Sequence, residues 1–206
     1  MEQMTTIFNE YRASNLLNKD DTVNYYGKIL SSEEANQYFG LLMQNIPWEK
    51  DEVIIFGKHI TTKRNVAWYG GSEYLYTYSN TTKRALAWTK ELSELKQIVE
   101  ELAGIKFNSC LLNLYHNGNE GMGWHSDDEK SMGKNNTIAS LSFGAERKFS
   151  FKHKQTKQIV SLVLEHGSLL VMKHDTQRNW LHSLPKSKYI TEPRINLTFR
   201  TIRKTS

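Results

Sequence analysis

The chain has 206 residues, 38% hydrophobic and 24% charged, with 27 Lys and Arg against 22 Asp and Glu for a formal net charge of +5. These values suit a soluble globular protein with one sizeable core, and no apolar run is long enough to span a bilayer. The start, Met1-Glu2-Gln3-Met4-Thr5-Thr6, lacks a secretory pattern, so no membrane association is expected, with a cytoplasmic location in a bacterium or a nuclear one in a eukaryote.

In chain order, Ser32-Glu33-Glu34-Ala35 opens a capped helix over 32–45, with Phe39, Leu41, Leu42 and Met43 as its apolar residues. A second helix runs from Lys90 to Leu102 and stops at Gly104. Its Leu92, Leu95, Ile98, Val99 and Leu102 follow the spacing of one buried stripe. From about residue 107 short apolar segments alternate with turn residues: Ser109 to Tyr115, Ile138 to Phe143, Lys148 to Lys152, Ile159 to Leu164, and Ile195 to Thr201. That texture predicts a mainly β chain of α+β class, a double-sheet jelly roll or a barrel, braced by the preceding helices. The one cysteine, Cys110, excludes an intramolecular disulfide and lies in an apolar stretch, where it reads as a packing residue.

Charge is unevenly spread. Lys58, Lys63, Arg64, Lys83 and Arg84 gather in the first half, and Arg147, Lys148, Lys152, Lys154 and Lys157 further on. These clusters are candidate phosphate contacts, though solvated hairpin ends would read the same way.

The most specific chemistry lies in Trp124-His125-Ser126-Asp127-Asp128. On a strand, residues two apart point to one face, so His125 and Asp127 can reach one metal while Asp128 points away. A distant third His would complete the two-His, one-carboxylate triad of non-heme Fe(II) and leave positions open for a co-substrate and O2. Spacing leaves that third ligand open among His166, His174 and His182. Near the end, Arg194, Asn196, Thr198 and Arg200 alternate along one strand face, which suggests a polar pocket with a guanidinium fork for a carboxylate.

Taken in order, Asn113-x-Tyr115, His125-x-Asp127-Asp128-Glu129, Ile138 to Gly144, His166-Gly167-Ser168-Leu169-Leu170, Trp180-x-His182-Ser183-Leu184-Pro185 and Arg194-x-Asn196-x-Thr198-Phe199-Arg200 resemble the AlkB family. These are Fe(II)- and 2-oxoglutarate-dependent nucleic-acid dealkylases, and the likeness is greatest to the branch acting on double-stranded DNA. It implies a double-stranded β-helix core over 107–203. A nucleotide-recognition lid and helix would occupy 51–106, and about 1–50 would form an N-terminal extension, all within one domain. It further implies His125, Asp127 and His182 as iron ligands, and Arg194 as the anchor for 2-oxoglutarate, helped by Asn113, Tyr115, Asn196 and Thr198. Arg200 would stand close to the co-substrate. For the substrate it implies Phe56 as a wedge in the base stack, Arg64 as a further contact, and Tyr76 and Tyr78 lining a base pocket. Asp128 and Glu129 would lie beside a cationic base. The expected reaction is O2-dependent demethylation of N1-methyladenine and N3-methylcytosine by a monomer, with methylated DNA as partner and RNA as the alternative polymer. Three other readings share the scaffold: an RNA demethylase, a protein or small-molecule oxygenase, and a non-catalytic nucleic-acid-binding module.

Overall fold

The computed structural model describes residues 14–17, 22–55, 58–71, 75–78, 81–127, 137–173 and 175–202. In chain order they form β1 (Ser14–Asn15), β2 (Thr22–Lys28), α1 (Ser32–Asn45), β3 (Glu49–Ile55), β4 (Lys58–Gly70), β5 (Leu75–Tyr78), β6 (Thr81–Arg84), α2 (Lys90–Ala103), β7 (Ser109–Tyr115) and β8 (Met122–His125). These are followed by β9 (Ile138–Gly144), β10 (Arg147–His153), β11 (Ile159–Leu164), β12 (Ser168–Lys173), α3 (Thr176–Asn179), β13 (Trp180–Leu184) and β14 (Arg194–Arg200). An eight-stranded sheet runs β1-β2-β12-β9-β14-β7-β4-β3, a four-stranded sheet runs β11-β10-β13-β8, and β5 pairs with β6. Every named pairing is antiparallel, as a double-sheet jelly roll requires.

The alternation along the central strands decides where each side chain goes. On β7, β9 and β14, one set (Cys110, Leu112, Leu114; Ala139, Leu141, Phe143; Ile195, Leu197, Phe199) joins a core with α1 and α2. The helices contribute Ala35 and Leu42 from α1 and Leu92, Leu95, Val99 and Ala103 from α2. This is the amphipathic stripe expected of α2, now packed on the large sheet. The opposite set, including Asn113, Tyr115, Ser140, Arg194, Asn196, Thr198 and Arg200, lines a cavity. A second cluster of Val23, Ile138, Phe151, Leu164, Leu170, Met172 and Trp180 joins residues of both sheets.

Local signals account for the ends of the helices. Ser31, one residue before the expected start, caps α1 in a reciprocal box with Glu34. Thr89 accepts from the Leu92 N–H at the start of α2, and Gly104 ends it at φ 71°, a left-handed conformation that glycine adopts without a Cβ penalty. Gly144 is more constrained. It sits at φ 81°, and a Cβ there would lie 2.4 Å from the Pro193 carbonyl oxygen and 2.8 Å from the Phe39 ring.

Two sequence expectations need amending. The stretch before residue 51 supplies β2 to the large sheet beside β12 and α1 to its core, so 22–50 is built into the fold. Arg147 leaves the basic cluster: it is 1% exposed and donates to the backbone carbonyls of Asn117, Glu120 and Pro185, tying two loops together. Among the described residues no helix is long and apolar enough to cross a membrane.

Candidate metal and co-substrate site

β8 and β13 are neighbours in the small sheet, and His125 and His182 are register partners across them. Their rings lie 4.2 Å apart between centroids at 62°. Strand alternation was expected to bring Asp127 to the same face as His125, but β8 ends at His125. Asp127 stands in the following loop, where its N–H donates to Gln177 Oε1 of α3 at 3.0 Å. The loop rather than the pleat therefore sets its position. One ligand atom from each of His125, Asp127 and His182 lies within 4.8 Å of the other two. The His125 ring is oriented through Nδ1, 2.9 Å from the Gly123 carbonyl oxygen, with Nε2 3.9 Å from Asp127 Oδ1. Two imidazoles and one carboxylate converging on one point are the donor set that non-heme Fe(II) takes, so the residues fit that ion.

The other candidate histidines separate cleanly. His166 Nδ1 accepts from the Gly144 N–H at 2.8 Å and its Nε2 lies 3.2 Å from Asn36 Oδ1, which commits its ring elsewhere. His174 lies outside the described residues.

Electrostatics favours ligand-competent protonation states. Burial, then the neighbouring His125, and further the Arg200 and Lys154 charges hold His182 down to about 3, against the opposing pull of Asp127. Its imidazole is therefore neutral and able to coordinate. Burial would raise Asp127, but the Arg200 charge, the two histidines and the Arg200 hydrogen bond outweigh it and hold the carboxyl below its usual range. Arg200 Nη2 meets Asp127 Oδ2 at 2.6 Å. The structure thus places the second arginine of β14 against the carboxylate ligand.

Arg194, 2% exposed, donates through Nη2 to Ser142 Oγ at 2.9 Å and Asn196 Oδ1 at 2.8 Å, and lies 5.7 Å over the Tyr115 ring. Asn196 Nδ2 continues the chain to Thr198 Oγ1 at 2.8 Å. Burial lowers Arg194 to about 10, which still leaves a cation at neutral pH. Among the described residues, neither its buried Nε nor the buried Asn113 Oδ1 has a hydrogen-bond partner. Unsatisfied buried polar atoms are costly, and here they line a cavity of about 550 Å³, within the rough 300–1,000 Å³ range of ligand sites. A small dicarboxylate fits this provision, one end on the guanidinium and the other towards the triad.

Of the remaining expected residues, Arg64 lines the same cavity, paired with Asp51. Tyr76 and Tyr78 lie on β5, opposite Lys83 and Thr81 of β6. Phe56, Asp128 and Glu129 lie outside the described residues. Sequence reading missed Gln177, which holds the Asp127 loop, and placed Lys154 only in a basic cluster, whereas it donates to Ser126 Oγ and the Gln177 carbonyl at 3.0 Å each. It also missed Asp51. No motif marks these three, because their partners are distant in sequence.

A family model described as the 2OG-Fe(II) oxygenase superfamily matches residues 22–200. The chain is 42% identical over 180 residues to the alpha-ketoglutarate-dependent dioxygenase alkB homolog 3 of Bos taurus, covering 82% of this chain and 62% of that protein. It is 40% identical to the Homo sapiens protein of the same name, over 86% of this chain and 65% of that one. Identity to the Homo sapiens DNA oxidative demethylase ALKBH2 is 37%, over 86% and 72%. Among solved structures, the fold matches OsALKBH1 at TM-score 0.63 and 14% identity, covering 90% of this chain and 99% of that one. The chain belongs to the 2OG-Fe(II) oxygenase superfamily and, within it, to the AlkB family. It spans just under two thirds of the length of the two alkB homolog 3 proteins. Fe(II) is the cofactor and 2-oxoglutarate and O2 the co-substrates of that superfamily, and the His-Asp-His group could hold the iron.

Proposed function

We propose that the chain demethylates alkylated nucleobases in DNA by oxidation, with N1-methyladenine and N3-methylcytosine as substrates. The observation that carries this is the meeting of His125, Asp127 and His182 with the buried Arg194–Asn113 provision across one cavity, in a chain whose relatives include DNA oxidative demethylases. Iron with 2-oxoglutarate and O2 supplies an oxidant that inserts oxygen into an N-methyl C–H bond, yielding succinate and CO2. The hydroxymethyl product then loses formaldehyde, and its N–C bond electrons return to the base.

In this reading His125, Asp127 and His182 hold the metal, and Arg200 keeps Asp127 ionised and oriented. Arg194 grips the far carboxylate, with Asn113 and Tyr115 beside it and Asn196 and Thr198 fixing the guanidinium from below. The apolar wall of Leu111, Phe149, Met172 and Leu184 keeps water from the reacting centre. Residues 51–106 act as the nucleotide-recognition lid and helix on the 107–203 core. Phe56 replaces an extruded base in a duplex, Tyr76 and Tyr78 flank that base, and Asp128 and Glu129 face its charged edge. The protein works as a monomer.

The test measures succinate and formaldehyde from oligonucleotides carrying one N1-methyladenine, as single- and double-stranded DNA and as RNA. Equal release of both products from DNA supports the proposal. A preference for RNA moves the assignment to that polymer, succinate only with some other acceptor makes the chain a different oxygenase, and no turnover leaves a binding module. Phe56→Ala should lower activity on duplex about tenfold more than on single strands, because extrusion from a duplex costs a few kcal/mol that a filling side chain partly offsets. Equal losses would remove Phe56 from the substrate contacts.

A further inference from the structure

The β3–β4 hairpin meets the cavity where its ladder is broken. Pairing holds at Lys50↔Asn65 and next at Glu52↔Thr61, so the single residue Asp51 stands opposite Thr62, Lys63 and Arg64. Thr62 Oγ1 donates to the Arg64 carbonyl at 3.1 Å inside this bulge. Bulges re-aim side chains, and both Asp51 and Arg64 are turned onto the cavity wall. There they form an ion pair through Arg64 Nη2 and Asp51 Oδ2, each side chain 12% exposed.

The pair is only partly satisfied by the protein. Arg64 Nη1 rests on Met122 Sδ at 3.3 Å, a weak acceptor three residues before His125. Its Nε is buried without a partner among the described residues. Among the described residues no donor reaches the second oxygen of Asp51. A buried ion pair is a poor source of stability, since desolvation offsets most of the attraction, so fold stability does not explain this one.

The cavity's charges sharpen the point. Asp127 is balanced by Arg200, and Arg194 is assigned to the co-substrate carboxylate. Among the described lining residues the Asp51–Arg64 pair stands apart from both.

We propose that Asp51, fixed at the bulge by Arg64, is a specificity-determining residue that selects positively charged methylated bases over neutral ones. The proposal rests on the nucleobase-demethylase reading. N1-methyladenine and N3-methylcytosine are cations whose exocyclic N–H lies beside the methylated nitrogen, and a carboxylate with an open oxygen both accepts from that N–H and balances the ring charge. N3-methylthymine is neutral and presents carbonyl oxygens there, which Asp51 repels. Arg64 acts as a positioning residue.

The experiment compares single-stranded DNA oligonucleotides carrying N1-methyladenine or N3-methylthymine, with full-length protein. Anaerobic equilibrium binding and formaldehyde release are both read, for wild type, Asp51→Asn, Asp51→Glu and Arg64→Gln. Wild type should favour the cationic base in binding. Asp51→Asn should cut that preference about tenfold, ~1.4 kcal/mol, mainly through KM, with N3-methylthymine little changed. Asp51→Glu should restore it, and Arg64→Gln, whose amide still donates to Asp51 while the competing positive charge is gone, should hold or raise it. Equal losses on both bases in Asp51→Asn, or a preference that falls in Arg64→Gln as in Asp51→Asn, overturn the proposal by showing a merely structural pair. Equal binding of both bases by wild type also overturns it. Wild type that shows the binding preference but releases no formaldehyde supports the selecting role and sinks the demethylase reading, so the two fail separately.

Discussion

Arg194 and Arg200 lie on one face of β14 yet meet different partners, and the difference makes two predictions. Arg194 is buried with its fork on Ser142 and Asn196, so Arg194→Lys should raise the 2-oxoglutarate concentration for half-maximal rate about 10- to 100-fold, with a smaller effect at saturation. A point charge cannot reproduce a planar pair of donors, and charge-assisted bonds are worth ~1.5–3 kcal/mol. Titrating the co-substrate in a succinate assay checks this, and an unchanged half-saturation point removes Arg194 as the anchor. Arg200 instead neutralises Asp127. Alanine at His125, Asp127 or His182 should abolish turnover even with excess iron and weaken Mn(II) binding measured by calorimetry. Arg200→Ala should keep the donor set but bind Mn(II) more weakly as pH falls, because Asp127 loses the charge that holds its carboxyl down.

At the scale of elements, a buried carboxylate at the C-terminal end of α2 ties the helix to the segment that leads into β7. Glu100 accepts from Lys96 Nζ at 2.6 Å, Lys106 Nζ at 2.9 Å and the Phe107 N–H at 2.7 Å. Burial would raise its pKa, but these three partners together lower it below the ordinary carboxylate value. A group depressed in the folded state stabilises it above the unfolded value, near 4.3, and that contribution fades as pH falls through the folded value. Glu100→Gln should therefore cost about 1–3 kcal/mol at pH 7, and the gap from wild type should close in urea melts taken below about pH 4. A deficit that persists unchanged at low pH would mean packing, not charge, is what the variant loses. The stripe of α2 and the strand texture after 107 were both legible, since each rests on a local period. The long β3–β4 hairpin was not, because its bulge breaks the alternation and its charged residues mask the strand pattern.

In the whole molecule, the site bridges the two sheets. His125 and His182 belong to the four-stranded sheet and Arg194 to the eight-stranded one, with the Arg200–Asp127 pair joining β14 to the loop after β8. Mn(II) with 2-oxoglutarate should therefore raise the melting temperature more than the two separate shifts combined, since each ligand preorganises the other's sheet. Ligand at about 100 times its Kd adds ~2.7 kcal/mol, and scanning calorimetry with each ligand and both reads the comparison. Simple additivity would show that they bind independently. The other global prediction concerns β2, whose Val23 is fully buried and whose Tyr26 hydroxyl donates to the Leu102 carbonyl at 3.0 Å. Deleting residues 1–28 should uncover the edge of β12 and abolish a cooperative melt, whereas a retained sharp transition would mark that segment as dispensable.

By itself the sequence determined a mainly β chain, jelly roll or barrel, the helices α1 and α2, the His-x-Asp core of the metal site and the polar face of β14. Each is written in short-range periods of two or 3.6 residues, or in adjacent motif letters. It left the third ligand open until the resemblance selected His182, and it read Asp127 as a strand residue. Only the tertiary structure decided that β8 stops at His125 and that Gln177 of α3 carries Asp127 into place. It alone turned Arg200 onto Asp127, buried Arg147 under three carbonyls, and set Asp51 against Arg64 across a bulge. These are contacts between residues far apart in the chain or out of register. Local alternation carries no information about them, because charge pairing and ladder breaks are settled by which strands become neighbours.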